Sequence, residues 1–337
     1  MACLHPLKGF PTGLTKDGKT KLTIAPYKIK AIGQNGERKE NVGIEKTDIV
    51  SYYEIPCGHC VGCRKDQAQE WSNRLIMEMD YHDSAYFLTL TYDEAHVHRI
   101  CYTDELTGEL KDDRGTLNKR DFQLFIKELR RYRPDDKIRY YLCGEYGGKT
   151  ERPHGHAILF GLHLGDWCLV ESGTSETGST YYTCPQLEKI WKRGFISIEP
   201  ANEYTCKYVC NYVTKKLGNK PNKYYEERGQ VPPFSLSSRK PGIGRKYFED
   251  KGDEMFKYDK IFLATTQGSV EIRPPRYFKK LYRESHEEEY QRIVYKHLQA
   301  GADADDAKTT ITDLHKLEQL KNKENIMLKS LSNRDKI

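Results

Sequence analysis

The segment Pro153–Phe160, PHGHAILF, decides how the fold of this chain is interpreted. Its second half is a continuous apolar run, which is typical of a buried strand. Side chains alternate between the two faces of a strand, so His154 and His156 project from the same face, roughly 7 Å apart along the chain. Imidazole is the commonest metal ligand among side chains. The pair therefore predicts a metal site on a sheet, although two histidines at this spacing also occur by chance.

The sequence around this segment predicts an α+β fold. Strands are predicted at Ala85–Tyr92, Ile138–Glu145, His154–Phe160 and Gly194–Ile198. Helices are predicted at Asp66–Tyr81, Asn118–Arg133, Pro185–Trp191 and Ala201–Leu217. From Ala85 onward this order is typical of a split β-α-β arrangement, with helices on one face of an antiparallel sheet and the other face open for ligands. The histidine strand is expected to be central, residues 93–117 are polar and turn-rich, and the glycine-rich, polar residues 170–180 are expected to form a loop.

We expect three parts along the 337 residues, since this length fits one large domain with attachments, or two domains. Residues 1–64 are predicted to be an N-terminal arm with a cysteine-rich element. Residues 65–250 contain the α+β domain, and residues 251–337 are predicted to be a charged, mainly helical C-terminal region.

The charge pattern favours a nucleic-acid partner. The net charge is +6, and Lys207–Lys246 carries ten Lys or Arg against two Glu. A basic, tyrosine-rich segment suits a phosphate backbone with bases that stack on rings, and we expect contacts from Arg239, Lys240, Arg245 and Lys246. The alternative is a solvated basic loop. No stretch approaches the roughly 20 consecutive apolar residues that span a membrane, and the N-terminus lacks an apolar signal-like run, so a soluble protein is expected.

The cysteines divide into two groups. The chain is too long for its ten cysteines to form a disulfide scaffold. Six are scattered and are interpreted as small buried or neutral residues: Cys101, Cys143, Cys168, Cys184, Cys206 and Cys210. Cys57, Cys60 and Cys63 instead repeat at metal-ligand spacing, with Cys3 or His59 as the fourth ligand. The pattern predicts structural zinc, with an iron-sulfur cluster or free thiols as alternatives.

The predicted helix after the fourth strand carries a second chemical group. Tyr208, Tyr212 and Lys215 lie at i, i+4 and i+7 and therefore share one helical face. A phenol, with a pKa near 10, is a poor nucleophile at neutral pH unless a cation or a metal assists it. Lys215, one turn beyond Tyr212, can supply that cation. The alternative is a row of tyrosines, including Tyr204, that packs on the sheet.

Together, these groups favour phosphoryl transfer from nucleic acid. A metal held by His154 and His156 can bind the non-bridging phosphate oxygens and stabilise developing charge. Glu145 is the candidate third ligand, because it closes the preceding strand and a hairpin can bring its carboxylate beside the histidines. The alternative for Glu145 is an exposed carboxylate in a turn.

At these residues the sequence resembles the HUH endonucleases, the superfamily of rolling-circle replication initiators, relaxases and related transposases. It looks most like the replication initiators of Microviridae, small tailless single-stranded DNA phages, and particularly the gokushovirus-like branch. The resemblance spans roughly residues 55–250. The segments that carry it are Phe87–Asp93, Gly144–Gly147, Pro153–His156, Tyr208–Lys215, Cys57–Cys63 and Arg239–Gly244.

The resemblance implies a nickase with ligase activity that acts on a phage origin, in single-stranded or supercoiled DNA. Tyr212 would attack phosphorus to give a 5′-phosphotyrosine and a free 3′-hydroxyl, and Tyr208 would perform the second transfer. His154, His156 and Glu145 would hold Mg²⁺ or Mn²⁺. The expected location is the cytoplasm of the bacterial host, with host helicase and polymerase as candidate partners and no membrane.

Two positions depart from the superfamily pattern. The residue between the histidines is usually bulky and hydrophobic, whereas here it is Gly155, so the ring positions depend more on neighbouring strands. Each tyrosine commonly has a lysine three residues later. Tyr212 has Lys215, whereas Tyr208 has Asn211, which favours Tyr212 as the first nucleophile. The alternatives are a plasmid initiator, relaxase or transposase with the same chemistry, and a non-catalytic zinc-containing protein that binds or packages DNA.

Overall fold

The computed structural model describes residues 3–16, 20–40, 43–103, 107–174, 178–215, 222–266, 268–306 and 313–334. Within these ranges only the backbone is described for residues 112, 212–215, 222, 297–306, 313–315 and 330–334. The chain forms two compact units, one comprising residues 1–67 with 308–337 and the other comprising residues 68–307. The three-part division made from the sequence stays a prediction.

The secondary structure alternates strands and helices along most of the chain. The strands are β1 (Leu7–Leu14), β2 (Thr20–Pro26), β3 (Ala31–Ile32), β4 (Arg38–Lys39), β5 (Tyr53–Ile55), β6 (Ala85–Thr91), β7 (Arg99–Thr103), β8 (Leu110–Gly115), β9 (Arg139–Tyr146), β10 (Pro153–Phe160), β11 (Val170–Thr174), β12 (Thr180–Thr183), β13 (Ile196–Pro200), β14 (Phe234–Ser237), β15 (Ile261–Thr265) and β16 (Gly268–Ile272). The helices are α1 (Val61–Met79), α2 (Lys119–Tyr132), α3 (Pro185–Trp191), α4 (Glu203–Lys215), α5 (Asn222–Glu227), α6 (Arg245–Tyr258), α7 (Arg276–Ser285), α8 (Glu287–Asp306) and α9 (Asp313–Arg334).

The second unit is built on a seven-stranded sheet with the order β11-β12-β13-β6-β10-β9-β14. Neighbouring strands are antiparallel, and the histidine strand β10 lies between β6 and β9. The predicted α+β class with a large antiparallel sheet is therefore confirmed. The predicted loop at residues 170–180 is wrong in part, because these residues contribute to β11–β12, and the turn-rich residues 93–117 contain the hairpin β7–β8. These strands are short and largely exposed, so they lack the apolar alternation that identifies a strand.

Helices α2 and α3 cover one face of this sheet. Asn118 caps α2 as predicted, with its side chain accepting a hydrogen bond from the Arg120 amide at 3.0 Å. The apolar stripe of α2 packs with Trp191 of α3 against alternating leucines of the strands. The buried residues of α2 in this stripe are Phe122, Phe125, Ile126 and Leu129.

Helices α1 and α4 pack on the opposite face, so the prediction that helices cover only one face is wrong. Ile158 and Phe160 lie in this second core with Leu75 of α1 and Val209 of α4. The physical reason is the apolar run at the end of β10, whose residues are completely buried. Both faces of such a strand must be covered, as in any sheet whose central strands are continuously apolar.

The C-terminal part of the second unit has its own apolar cluster. Residues of α6, the hairpin β15–β16 and α7 form it, with Phe256, Phe278 and Tyr282 among its members. The first unit contains the three-stranded sheet β2-β1-β5, and α9 belongs to the same unit. Among the residues that the structure describes, no helix has the length and apolarity needed to cross a lipid bilayer.

Candidate active site

The hairpin β9–β10 brings Glu145 beside the two histidines. Its turn is closed by the Gly147 amide, which donates to the Arg152 carbonyl at 3.0 Å. The resulting register places Glu145 directly opposite His154. Since side chains alternate along β10, His156 lies on the same face two residues further on. The pairing that the sequence suggested for these three residues is present in the structure.

The three side chains converge on a common point. Glu145 Oε1 lies 3.3 Å from His154 Nε2 and 3.3 Å from His156 Nε2. One ligand atom from each residue lies within 4.8 Å of the others, a spacing that allows a metal ion to be held. Glu145 and His156 are buried, so the carboxylate is not the exposed turn residue of the alternative interpretation.

Both imidazoles are oriented through their other ring nitrogen. His154 Nδ1 lies 3.1 Å from the Arg152 carbonyl, and His156 Nδ1 lies 3.1 Å from Thr89 Oγ1. With protons on Nδ1, the Nε2 lone pairs face Glu145, which is the usual arrangement of metal-binding histidines. Two imidazoles and a carboxylate leave coordination positions for a substrate, as catalytic metal sites require. The donor set therefore fits a divalent cation, and it does not define which one.

Packing against a distant helix explains why residue 155 is a glycine, and the sequence did not show this contact. A Cβ atom at this position would overlap the ring of Phe122 from α2. Gly144, which pairs with Gly155 across the hairpin, is similarly close to Phe234, with 2.9 Å between a Cβ position and Cζ. The two phenylalanine rings therefore press directly on the backbone behind the histidines. A bulky residue between the histidines is excluded by these rings.

Tyr208 contacts the candidate metal-binding group. Its ring meets that of His156 edge-on, with 5.0 Å between the centroids, and the Phe87 ring stacks on His156 at 5.3 Å. Tyr208 is about half exposed. Tyr212 and Lys215 lie in the last turn of α4, and their side chains are outside the part that the structure describes.

A cleft of about 1120 Å³ opens beside this group. Phe87, Thr89, His156 and Tyr208 line one side of it, and residues of β13, the β11–β12 hairpin and the start of α4 line the rest. Glu199 of β13 lies in this cleft, and its burial raises the pKa of its carboxyl group. The polar cleft is thus continuous with the candidate metal site.

The predicted DNA contacts lie away from this cleft. Arg239 and Lys240 line a second cleft of about 850 Å³ that also contains Arg139. Arg139 starts β9 and Glu145 lies near its end, so roughly 20 Å of strand separates the two regions. Arg245 pairs with Glu249 at 2.7 Å, and Lys246 lies over the Tyr81 ring. The structure therefore does not bring these four residues to the histidine pair.

The cysteine cluster forms in the first unit. The sulfur atoms of four residues lie within 4.8 Å of one another, and these residues are Cys3, Cys57, Cys60 and Cys63. His59 is exposed and does not belong to the group. Of the two fourth ligands that the sequence left open, the structure brings Cys3 to the cluster. Of the scattered cysteines, Cys101 and Cys168 are exposed and the other four are buried.

Sequence reasoning missed Thr89, Phe87 and Glu199 as parts of the site. Phe87 and Thr89 alternate on β6, and the antiparallel register places Thr89 opposite His156. That alternation was readable in the sequence, whereas the pairing of β6 with β10 was not. Glu199 lies on β13, which pairs with the other side of β6. Its place near the histidines depends on the strand order and not on any local pattern.

Comparison with known proteins identifies relatives of this chain. Residues 85–217 match the family model described as Replication-associated protein ORF2. The chain is 31% identical over 301 residues to Replication-associated protein ORF2 of Spiroplasma virus 4, covering 86% of this chain and 83% of that protein. It is 31% identical over 248 residues to Replication-associated protein VP4 of Bdellovibrio phage phiMH2K, covering 71% of this chain and 70% of that protein. Replication-associated protein ORF4 of Chlamydia phage 1 is 27% identical over 245 residues, covering 68% of this chain and 54% of that protein. No solved structure is significantly similar.

Proposed function

The chain belongs to the Replication-associated protein ORF2 family, and from this membership we propose that it initiates phage DNA replication by nicking one strand of the origin. The observation that carries the proposal is the convergence of Glu145, His154 and His156 beside the half-exposed ring of Tyr208. Metal-assisted attack of a tyrosine on a phosphodiester needs these two elements in one place. The proposed enzyme is an HUH-type, site-specific endonuclease with strand-transfer activity.

Glu145, His154 and His156 would hold Mg²⁺ or Mn²⁺, which when bound polarises the scissile phosphate and stabilises its charge. Thr89 and the Arg152 carbonyl keep the imidazoles in the orientation that this requires. The remaining chemistry belongs to the tyrosines and the DNA.

The proposed reaction transfers a phosphoryl group to a tyrosine. The phenol oxygen forms a bond to phosphorus, and the bond between phosphorus and the 3′-oxygen breaks. The phenol proton leaves to solvent, while the departing 3′-oxygen takes up a proton. The products are a 5′-phosphotyrosine and a free 3′-hydroxyl that primes synthesis. Because the covalent link replaces one phosphodiester with another, the reverse transfer can close a strand without ATP.

Two tyrosines share the proposed work. Tyr212 remains our candidate for the first attack, with Lys215 one turn away to stabilise the phenolate. Tyr208 contacts His156, which supports its participation in the same centre as the second nucleophile. The two tyrosines are four residues apart in this helix, which separates them by roughly 6 Å along its axis. This spacing allows one tyrosine to hold a DNA end while the other attacks.

The proposed substrate is single-stranded DNA, or supercoiled DNA that opens at the origin. Arg239 and Lys240 would bind the phosphate backbone away from the nicked bond, and Arg245 and Lys246 extend the same basic segment. The proposed setting is the cytoplasm of an infected bacterium, where host helicase and polymerase would extend the released 3′-hydroxyl. A plasmid initiator, relaxase or transposase would share this chemistry and differ in its DNA.

The test is covalent capture of DNA by the full-length protein. The protein is incubated with Mn²⁺ and 5′- or 3′-labelled single-stranded fragments that tile the origin region of its genome, and adducts that survive SDS are separated on a gel. We expect one fragment to give an adduct that carries the label 3′ to the nick. Tyr212→Phe should lose this adduct. Tyr208→Phe should retain it and lose the second strand transfer. Tyr132→Phe, an exposed tyrosine on α2, is the matched control.

Two results would contradict the proposal at different levels. If wild-type protein forms no adduct with any fragment in Mg²⁺ or Mn²⁺, the enzyme is not a nickase, and a non-catalytic zinc-containing DNA-binding protein becomes the better interpretation. If Tyr212→Phe forms the full adduct and Tyr208→Phe forms none, the two tyrosines have the reverse roles.

A further inference from the structure

We propose that the four clustered cysteines of the first unit bind one zinc ion as a closed, structural site. Their sulfur atoms lie within 4.8 Å of one another, and Cys60 Sγ lies 4.0 Å from Cys3 Sγ. A tetrahedral zinc site with bonds of about 2.3 Å places its sulfur atoms about 3.8 Å apart. The observed spacing is therefore close to that of a four-thiolate zinc site, whereas a disulfide would need about 2 Å.

Backbone amides point at the sulfur atoms, as expected for thiolates that bind a metal. The Leu4 amide donates to Cys60 Sγ at 3.2 Å, and the Cys57 amide donates to Cys3 Sγ at 3.2 Å. Hydrogen bonds of this kind favour the charged form of a ligand. Gly58 adopts a φ of 83°, a conformation that suits glycine and that turns the chain between the ligands. The loop is thus shaped around its sulfur atoms.

The zinc ion would close the N-terminal segment onto the start of α1. Cys3 precedes β1, whereas Cys63 lies in the first turn of α1. The described core of the small sheet is limited, with Phe10, Ala25 and Ile32 among its buried members. A unit with so little apolar core gains much of its stability from a structural metal. The site is separate from Glu145, His154 and His156 in both residues and chemistry, since sulfur ligands select zinc over magnesium.

Metal analysis of the full-length protein tests this site. After native purification without added metal, we expect about one zinc per chain by mass spectrometry. Cys60→Ser should lose the zinc, while Cys101→Ser, an exposed cysteine outside the cluster, should retain it. His156→Ala should also retain it, because the other metal site is distinct. Replacement of zinc by Co²⁺ should give the strong visible absorption of a tetrahedral thiolate complex in wild-type protein.

Three results would each contradict a different part of this proposal. Zinc below about 0.2 per chain in the purified wild-type protein, with the four cluster thiols reactive in addition to the exposed Cys101 and Cys168, would overturn the site. Iron with sulfide in place of zinc would replace it with an iron-sulfur cluster. If His59→Ala loses zinc while Cys3→Ser keeps it, the fourth ligand is His59 and our assignment of Cys3 is wrong.

A second inference rests on the cleft beside the histidines and on the proposed nickase function. We infer that this cleft holds an unpaired DNA base next to the nicked phosphate and that Glu199 reads the base. The cleft, of about 1120 Å³, exceeds the usual size of a small-molecule pocket, so a nucleotide fits. Tyr181 and Tyr204 line it together with the rings of Phe87 and Tyr208. Aromatic side chains of this kind stack with bases in proteins that bind single strands.

Glu199 provides the polar recognition in this cleft. It lies on β13 opposite Phe87, and Ser197 and Thr205 line the same cleft. Its carboxylate oxygens accept hydrogen bonds, whereas Glu199→Gln replaces one of these oxygens with a donor group. Such a group can pair with the edge of one base and reject others, whereas the tyrosines stack on any base. Sequence preference would thus come from Glu199 and affinity from the rings.

The experiment measures base preference at each position around the nick. Wild-type and Glu199→Gln proteins are incubated with a library of origin strands randomised near the nick, and the captured strands are sequenced. We expect Glu199→Gln to change the preference at one position by about tenfold among the strands that it captures. Glu171→Gln, an exposed residue on β11, should leave every preference unchanged. An unchanged profile in Glu199→Gln would overturn this inference, whereas absence of any wild-type adduct would overturn the proposed function.

Discussion

Thr89 is predicted to control metal affinity without contacting the metal. Its hydroxyl oxygen lies 3.1 Å from His156 Nδ1, so it accepts a hydrogen bond from the Nδ1–H group when Nε2 binds a cation. Thr89→Val keeps the shape of the side chain and removes this hydrogen bond. The imidazole then loses a group that fixes its tautomer and its ring orientation.

The magnitude follows from the surroundings of this hydrogen bond. Partners that orient metal-binding histidines typically contribute about 10-fold to 100-fold in metal affinity. Thr89 is only partly buried, so water can replace its oxygen, and we expect the lower end of this range. A tenfold weaker affinity corresponds to about 1.4 kcal/mol.

Thr91→Val is the matched control. Thr91 lies on the same strand and face, directly opposite His154, but its hydroxyl donates to the Phe195 carbonyl at 3.1 Å. Both variants are titrated with Mn²⁺ at pH 7, with free Mn²⁺ measured by electron paramagnetic resonance. Thr89→Val should bind about tenfold more weakly and Thr91→Val as tightly as wild type. Equal affinity in Thr89→Val and wild type, or equal weakening in both variants, would refute the proposed orientation of His156.

Three further predictions concern stability and metal dependence. Burial alone would raise the pKa of Glu78, but contacts with His82, the Gly244 amide and Arg139 hold it below its usual value. The ionised Glu78 therefore stabilises the folded state above pH 4.5, and this contribution is lost as the pH falls through the folded-state pKa. Glu78→Gln should lower the free energy of unfolding in urea at pH 7 by about 3 kcal/mol. It should also make the free energy of unfolding depend less on pH in the acid range. Asp121→Asn should lower the free energy of unfolding by about 3 kcal/mol in the same assay, since this buried carboxylate pairs with Arg193 at 2.9 Å. A decrease of less than about 1 kcal/mol would contradict the pairing. Chelation should abolish adduct formation and added Mn²⁺ should restore it; an adduct that persists at the wild-type rate in chelator would exclude the metal-dependent mechanism.

The candidate metal site could be predicted from the sequence because it depends on local rules. Alternation along β10 places His154 and His156 on one face, and the short turn after β9 limits where Glu145 can lie. The short spacing between the two strands and the period of each strand were both present in the sequence. Long-range pairing was not needed to bring these three ligands together.

Other features depend on contacts between distant segments. Gly155 is explained only by Phe122, which lies on a helix 33 positions earlier. The apolar run of β10 indicated that both faces of the sheet are covered. The prediction nevertheless kept one face open, because a ligand was expected to bind there. Glu199 reaches the cleft because β13 pairs with β6, and no pattern near Glu199 specifies that neighbour.

The contact between Phe122 and Gly155 links the evolution of the hydrophobic core to the chemistry of the candidate metal site. Since residue 155 has no side chain, α2 supplies the volume behind the histidine strand, and only one layer of backbone separates that ring from the ligands. Core substitutions in α2 can therefore alter metal affinity without changing a ligand. A larger side chain at position 155 requires a smaller one at position 122. A relative with a bulky residue between its histidines is therefore expected to carry a smaller residue at the helix position that faces it.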